Sequence, residues 1–108
     1  MKRGDLVLVA PPGAYGKPRP ALIIQSDLFA EHPSVTICLL SSHLQQTPLF
    51  RYQVEPHSEN GLSVPSQVQV DKIMTLPRTK LGQKIGRLRD RQLQEITRLI
   101  ALWVGLAG

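Results

Sequence analysis

An arginine between two prolines is the first feature of this sequence that could do chemistry, in the stretch Lys17-Pro18-Arg19-Pro20. A guanidinium is always charged and offers a planar fork of donors to two phosphate oxygens. The flanking prolines restrict the backbone that carries it. Arg19 is therefore the first candidate for binding a phosphate, although its position in a loop does not by itself distinguish it from an ordinary surface arginine.

Hydroxyl and carboxyl groups follow two predicted strands. Ser41 and Ser42 end one strand and could donate a hydroxyl to the same phosphate, although strand-end serines often bond to nearby backbone groups. Asp71 ends another strand, and its carboxylate could simply pair with Arg19 or Lys72. The loop histidines His43 and His57 could titrate near neutral pH, but an isolated loop histidine is usually a bystander.

The charge balance favours an anionic partner. The chain has 13 Lys and Arg against 8 Asp and Glu, a net charge of +5. A small basic protein can also carry such charge only for solubility, so position must decide. We expect four basic residues to track phosphates along a groove, namely Lys17, Arg51, Lys72 and Arg78. A second basic group precedes the C-terminal helix, and we expect it to be solvated: Lys80, Lys84, Arg87, Arg89 and Arg91.

Composition bounds the class of protein. With 108 residues, 42% hydrophobic and 19% charged, the chain predicts one globular domain over 1–108, not a disordered tail or a membrane protein. Cys38 is the single cysteine and lies between apolar neighbours, which predicts a buried thiol in a reducing compartment. The apolar run at 6–10 is too short and too early for a signal peptide. These features predict a cytoplasmic protein with no membrane contact.

Hydrophobic patterning predicts several short strands. Residues 6–9 form an apolar run before a Pro/Gly-rich loop at 11–20. The near-continuous apolar runs at 21–25 and 35–40 predict strands buried on both faces at the sheet centre. Alternation predicts half-exposed strands at 51–55 and 67–71, joined by a turn-rich loop at 56–66. A further short strand near Met74 or Ile85 fits the pattern.

The C-terminal part changes to a helical period. Leu93, Ile96, Ile100 and Trp103 fall on one helical face, which predicts a helix with Asp90 as its N-cap and Gly105 as its stop. We expect Trp103 in the core or in a dimer interface. A shorter helical turn after Ser26 is also predicted. The fold class is therefore mainly β, a small curled antiparallel sheet or barrel with a C-terminal α-helix.

Four stretches in order resemble the MazF/PemK/Kid family of toxin ribonucleases. These are KRGD at 2–5 followed by a strand and a Gly/Pro loop into RPALII at 19–24, VTICLLSS at 35–42, GL at 61–62 leading to SQVQVDKI at 66–73, and GRL at 86–88 before the helix. The resemblance spans nearly the whole chain. No single piece is diagnostic, but four pieces in the right order are far more specific.

The resemblance implies an SH3-like barrel, a homodimer and cleavage of single-stranded RNA without a metal ion or other cofactor. It also implies a cognate antitoxin whose acidic, disordered C-terminal segment lies across the RNA groove. Two other classes stay open. A gyrase-poisoning toxin of the CcdB kind has a similar fold and cuts nothing, and a non-catalytic RNA-binding module would explain departures from the family pattern.

The resemblance also implies roles for individual residues. Arg19 matches the catalytic arginine, Ser41 matches a position usually occupied by threonine, with Ser42 as its rival, and Asp71 matches an acidic residue proposed as the general base in some members. Gln69 stands where some members have an arginine that donates a proton, so the proton donor is unassigned. The predicted RNA-binding residues are Tyr15, Lys17, Ser42, His43, Arg51, Gln69, Lys72 and Arg78.

Overall fold

Six strands and one α-helix make up the part of the chain that this computed structural model describes, residues 1–10 and 17–107. Two single-turn 3-10 helices, Asp27–Phe29 and Arg78–Lys80, connect strands. The elements in chain order are β1 (Asp5–Val9), β2 (Arg19–Ile23), β3 (Ser34–Ser41), β4 (Arg51–Val54), β5 (Ser66–Pro77), β6 (Leu81–Arg87) and α1 (Asp90–Trp103).

The strands form one antiparallel sheet in the order β4-β5-β3-β2-β1-β6. As predicted, β2 and β3 occupy the centre. β4 and β6 lie at the two edges and are not paired with each other, so the sheet is curled and open rather than a closed barrel. The predicted class, mainly β with a C-terminal helix, is confirmed.

Alternate residues of the central strands enter two hydrophobic clusters. Leu6, Leu22 and Cys38 belong to the cluster that α1 covers with Leu93, Ile96 and Leu99. The residues next to them along the strands are equally buried and form a second cluster with Leu76, near the C-terminal end of β5. The members of this cluster are Val7, Val9, Ala21, Ile23, Val35, Ile37 and Leu76. Because side chains alternate along a strand, both faces of the central sheet are covered. This explains the near-continuous apolar runs in the sequence.

Several boundaries differ from the prediction. β2 begins at Arg19, inside the predicted loop, and β5 runs on to Pro77, which absorbs the separate strand expected near Met74. The predicted half-exposed character of 67–71 is wrong for most of that stretch, since Gln67 and Gln69 are buried together with the apolar residues. Val68 and Val70 of this stretch pack into the cluster that α1 covers, and the loop after β3 bonds to Gln67 on the other face, so neither face is open to solvent at that end.

The helix buries Leu93 and Ile96 as predicted, with Leu99 rather than Trp103 as the third buried residue. Its N-cap is Arg89, whose backbone N–H donates to the Gln92 side chain, and Asp90 is the first helical residue. Gly105 has φ 82°, so the predicted stop is confirmed. Trp103 is 51% exposed and contacts Phe50 with ring centroids 5.8 Å apart, so it lies at the margin of the core.

The loop between β4 and β5, residues 55–65, lies against β6. The buried Asn60 side chain organises it by accepting from His57 and Leu62 and donating to the carbonyl of Glu55. At Gly61, with φ 71°, a Cβ would lie 2.1 Å from the carbonyl oxygen of Ile85. Only glycine permits this approach, which packs the loop against the outer strand.

The Gly61 contact predicts a large effect of Gly61→Ala. A left-handed backbone conformation and an overlap with backbone together should lower the free energy of unfolding by roughly 2–5 kcal/mol. Gly105→Ala is the matched control, since φ is 82° there but nothing lies within 4 Å, and it should cost only about 1–2 kcal/mol. Urea unfolding measures both. Equal losses in the two variants would show that the contact with β6 contributes nothing.

Candidate active site

Arg19 opens onto a cleft of about 540 Å³, called here the first cleft. Arg19 is exposed and is the first residue of β2, where it pairs with Val9 of β1. The described lining includes Lys17 and Arg19 together with Leu8, Leu40 and residues 61–64. Two cations therefore share one concave surface with the hydroxyl-bearing residues Ser42, Ser63 and Ser66, which is suited to an anionic group.

Of the two rival serines, Ser42 lines the first cleft. Ser41 is 7% exposed and its hydroxyl accepts the backbone N–H of His43 at 3.1 Å, the local bond that strand-end serines commonly make. Ser42 follows the last residue of β3 and is exposed. Of the two rival serines, it is therefore the one whose hydroxyl is available at the first cleft.

Asp71 forms a buried ion pair with Arg51. The two oxygens of its carboxylate accept from Nε at 2.7 Å and Nη2 at 3.0 Å, and the two side chains are only 6% and 15% exposed. The expected partners of Asp71 were Arg19 or Lys72, so that prediction is corrected. β4 and β5 are paired with Arg51 opposite Gln69, which places the guanidinium beside Asp71 two residues further on.

The ion pair changes how both residues can act. Hydrogen bonds from Arg51 outweigh partial burial and hold the pKa of the Asp71 carboxyl below its ordinary value of 3.8. A carboxylate with a lowered pKa is a poor proton acceptor at neutral pH. The sequence predicts that Arg51 contacts phosphates along a groove, but its Nε and Nη2 groups donate to Asp71. The described lining of the first cleft includes neither residue.

The remaining predicted RNA-binding residues differ in their surroundings. His43 and Lys72 are exposed, Gln69 is buried, and Tyr15 lies outside the described residues. Arg78 donates to the carbonyl of His32 at 2.8 Å and to that of Phe29 at 3.4 Å, and so anchors a loop. Lys17 and Ser42 are the members of this predicted set that line the first cleft with Arg19.

The basic group before the helix is partly structural, which corrects the expectation that it is only solvated. Lys84 and Arg87 lie 3.3 Å and 3.1 Å from the carboxylate of Asp5. Burial alone would raise the pKa of Asp5, but the backbone N–H of Lys2 and the two cations lower it below 3.8. Arg89 donates to the Nε2 of His57 at 2.7 Å.

Two further features bear on the chemistry. Burial, aided by the charge of Asp71, raises the pKa of the Cys38 thiol to about 12, so this thiol is not a reactive group. Within residues 1–10 and 17–107, no three His, Cys, Asp or Glu side chains come together as they would around a metal ion.

In the same part of the chain, no helix is long and apolar enough to cross a membrane.

Comparison with known proteins identifies the family. Residues 2–104 match the family described as the PemK-like, MazF-like toxin of type II toxin-antitoxin systems. The chain belongs to this family. A probable endoribonuclease MazF of Mycolicibacterium smegmatis is 40% identical over 109 residues, which cover 100% of both proteins. The resemblance inferred from the four sequence stretches is therefore confirmed.

Solved structures agree with the MazF-like fold. The Mycobacterium tuberculosis toxin MazF-mt6 superposes with a TM-score of 0.80 at 24% identity, covering 94% of this chain and 96% of that one. A mycobacterial endoribonuclease in complex with its cognate antitoxin gives a TM-score of 0.80 at 22% identity, covering 100% and 98%. The curled sheet with its terminal helix is thus the architecture of MazF-like toxins.

The Arg51–Asp71 pair predicts a pH-dependent effect of Asp71→Asn. The folded-state pKa lies below the unfolded one, so the pair stabilises fully above about pH 4 and loses its effect as pH falls through the folded pKa. At pH 7 the variant should lose about 3 kcal/mol, because a buried guanidinium is left without its counter-ion. The difference from wild type should shrink towards pH 2 in urea titrations.

Glu31→Gln is the matched control for Asp71→Asn, since Glu31 is exposed and makes no ion pair within the described segments. Its unfolding free energy should follow that of the wild type at every pH. A constant difference between Asp71→Asn and wild type from pH 7 to pH 2 would contradict the assignment of the charged pair.

Proposed function

We propose that this chain is the toxin of a type II toxin–antitoxin pair and a sequence-specific endoribonuclease that cuts single-stranded RNA without a metal ion and so inhibits translation and growth. The observation that carries this proposal is the convergence of Lys17, Arg19 and Ser42 at the first cleft. Membership of a family with endoribonuclease relatives supports the reaction class. The gyrase-poisoning alternative has no such support, since a poison needs no phosphate site.

The proposed reaction is attack of the ribose 2′-OH on the adjacent phosphate. A bond forms between the 2′-oxygen and phosphorus, the bond to the 5′-oxygen breaks, and the products end in a 2′,3′-cyclic phosphate and a 5′-OH. Arg19 would stabilise the negative charge that builds up on the phosphorane, and Ser42 would donate to one of its oxygens. Lys17 adds attraction for the phosphate chain.

Fewer of the predicted residues can take part in the proton transfers. Because Arg51 holds both oxygens of Asp71 and lowers its pKa, we assign Asp71 the role of fixing Arg51 rather than that of the general base. Gln69 cannot donate a proton as an arginine at this position is thought to do. His43 follows Ser42 in the chain and is exposed, but it is not among the described residues that line the first cleft.

Partners and location follow from the same proposal. The MazF-like structures in complex with an antitoxin support an acidic, disordered antitoxin segment as the partner of this basic chain. We further propose that the chain works as a homodimer in the cytoplasm. The exposed Trp103 at the end of α1 is available to such an interface.

The first test is Arg19→Ala assayed on single-stranded RNA in the presence of a chelator. Wild-type protein should cut and leave a 2′,3′-cyclic phosphate, detected by mass spectrometry of the products. The variant should fold but cut slower by on the order of 100- to 1,000-fold, because a charged donor to the transition state is lost. Arg91→Ala, which removes an exposed arginine of α1, is the control and should cut normally.

Undiminished cleavage by Arg19→Ala would overturn the site. Absence of cleavage by the wild type on every RNA, together with inhibition of gyrase, would instead support the alternative toxin class.

A second test compares Ser42→Ala with Ser41→Ala. Loss of a hydrogen bond to a charged phosphate predicts a fall in kcat of about 10- to 100-fold for Ser42→Ala. Ser41→Ala should change kcat less, because its hydroxyl serves the backbone of His43. Single-turnover rates on one RNA would measure both effects. A larger loss of rate in Ser41→Ala than in Ser42→Ala would identify Ser41 as the residue with the catalytic hydroxyl.

A further inference from the structure

A cleft of about 600 Å³ lies where the start of β1 meets the end of β6, and it is called here the basic cleft. Its described lining consists of Met1, Lys2, Asp5, Lys84 and Arg87. Asp5 is buried, whereas Lys84 and Arg87 keep 50% and 41% of their side-chain surface exposed. Lys2 is exposed as well. Three cations are thus open to solvent around one buried carboxylate.

The carboxylate of Asp5 holds these cations together. One of its oxygens lies 3.3 Å from Nζ of Lys84 and 3.1 Å from Nη1 of Arg87. The other oxygen accepts the backbone N–H of Lys2 at 2.8 Å. Asp90 lies 4.0 Å from Nη2 of Arg87, but its carboxylate is 90% exposed, so water screens its charge. The carboxylate of Asp5 therefore fixes the cluster in place without neutralising it.

The cations of the basic cleft are available to a ligand, unlike the guanidinium of Arg51. Arg51 is only 6% exposed and donates to both oxygens of Asp71. The ammonium of Lys84 has three donors, and its contact with Asp5 leaves others for an outside group. Phosphate oxygens are strong acceptors for both ammonium and guanidinium groups. The basic cleft is therefore suited to a phosphate.

The lining favours a chain of phosphates over a protein partner. Met1 is the only apolar residue among the described residues that line the basic cleft. Protein contacts gain most of their affinity from apolar and aromatic side chains that fill pockets. A nucleic-acid backbone needs only cations, because it carries a negative charge on every nucleotide.

The basic cleft and the first cleft lie on opposite sides of β6. Lys84 and Ile85 are neighbours in this strand, and the first lines the basic cleft while the second lines the first cleft. In β1, Asp5 and Leu8 are divided between the two clefts in the same way, as expected from the alternation of side chains along a strand. Since β6 is the last strand of the sheet, an RNA strand that passes around it would contact both clefts.

We propose that the basic cleft binds the phosphate backbone of the RNA away from the cut, so that a long RNA is held on both sides of β6. Contacts to phosphate carry no sequence information, so this site adds affinity and no base preference. The inference rests on the proposed ribonuclease function. It requires that an RNA too short to pass around β6 binds through the first cleft alone.

The test measures how salt weakens the binding of single-stranded 2′-O-methyl RNA, which lacks the attacking hydroxyl and stays intact. Fluorescence anisotropy gives the binding constant of the purified chain at several salt concentrations. For a long RNA, Lys2→Gln should reduce the slope of log binding constant against log salt concentration by about 0.7, the value for one phosphate contact on a single strand. The fold should be unaffected, because Lys2 bonds to Asp5 through its backbone N–H.

Lys84→Gln should reduce the slope for the long RNA by the same amount. Its amide can still donate to Asp5, and a urea titration checks that the variant is folded. For a short RNA that fills only the first cleft, Lys2→Gln and Lys84→Gln should both match the wild type.

Arg91→Gln is the matched control, because it removes one positive charge from an exposed position of α1 outside the described lining of both clefts. Its slope should equal that of the wild type with both RNAs. An equal loss of slope in Arg91→Gln and in the two lysine variants would overturn the site, since only general attraction would remain. A loss of the same size with the short RNA would also overturn it.

Unchanged binding of the long RNA by both lysine variants would likewise contradict the proposal. If the same variants then bound polyglutamate more weakly than the wild type, the basic cleft would belong to an acidic protein partner instead. Failure of the ribonuclease proposal is distinguishable, because the wild type would then leave ordinary RNA of the same sequence uncut, whatever the salt dependence of binding.

Discussion

The contact between the β4–β5 loop and β6 is the constraint on which the site depends most. The sheet is open between β4 and β6, and residues 55–65 cross this gap with Gly61 against the backbone of Ile85. Gly86 approaches the same loop from β6, where a Cβ would lie 2.3 Å from the carbonyl carbon of Asn60. Residues 61–64 of this loop line the first cleft together with Lys17 and Arg19. A side chain at either glycine would displace these residues from their place in the lining.

Buried carboxylates give the basic chain its internal order. Asp5 draws in Lys84 and Arg87, and Asp71 holds Arg51. Asp71 thus neutralises Arg51, and Asp5 offsets one of the two positive charges beside it. The positive charge that remains at the first cleft comes from Lys17 and Arg19, whose side chains are exposed. The net charge of +5 is thus less informative about function than the few cations that no carboxylate neutralises.

Local signals predicted the elements well, and long-range pairings could not be predicted. The helical period from Asp90, the turn capped by Ser26 and the buried central strands all depend on neighbouring residues, and all are present. The Arg51–Asp71 pair joins strands through a register that no local pattern specifies, so the partner of Asp71 was wrongly predicted. The choice between Ser41 and Ser42 likewise depends on where β3 ends relative to the cleft. Arg19 lines the first cleft, but its role as the phosphate-binding residue comes from the family resemblance and stays a prediction.

In the proposed mechanism, the phosphate to be cut lies in the first cleft between Arg19 and Ser42. The most direct measurement is a crystal structure of the chain with a single-stranded RNA whose 2′-OH is replaced by hydrogen at the cut site, which blocks the attack. The account predicts that the phosphate at that position lies within hydrogen-bond distance of the Arg19 guanidinium and the Ser42 hydroxyl. A phosphate held elsewhere, with Arg19 pointing to solvent, would contradict it.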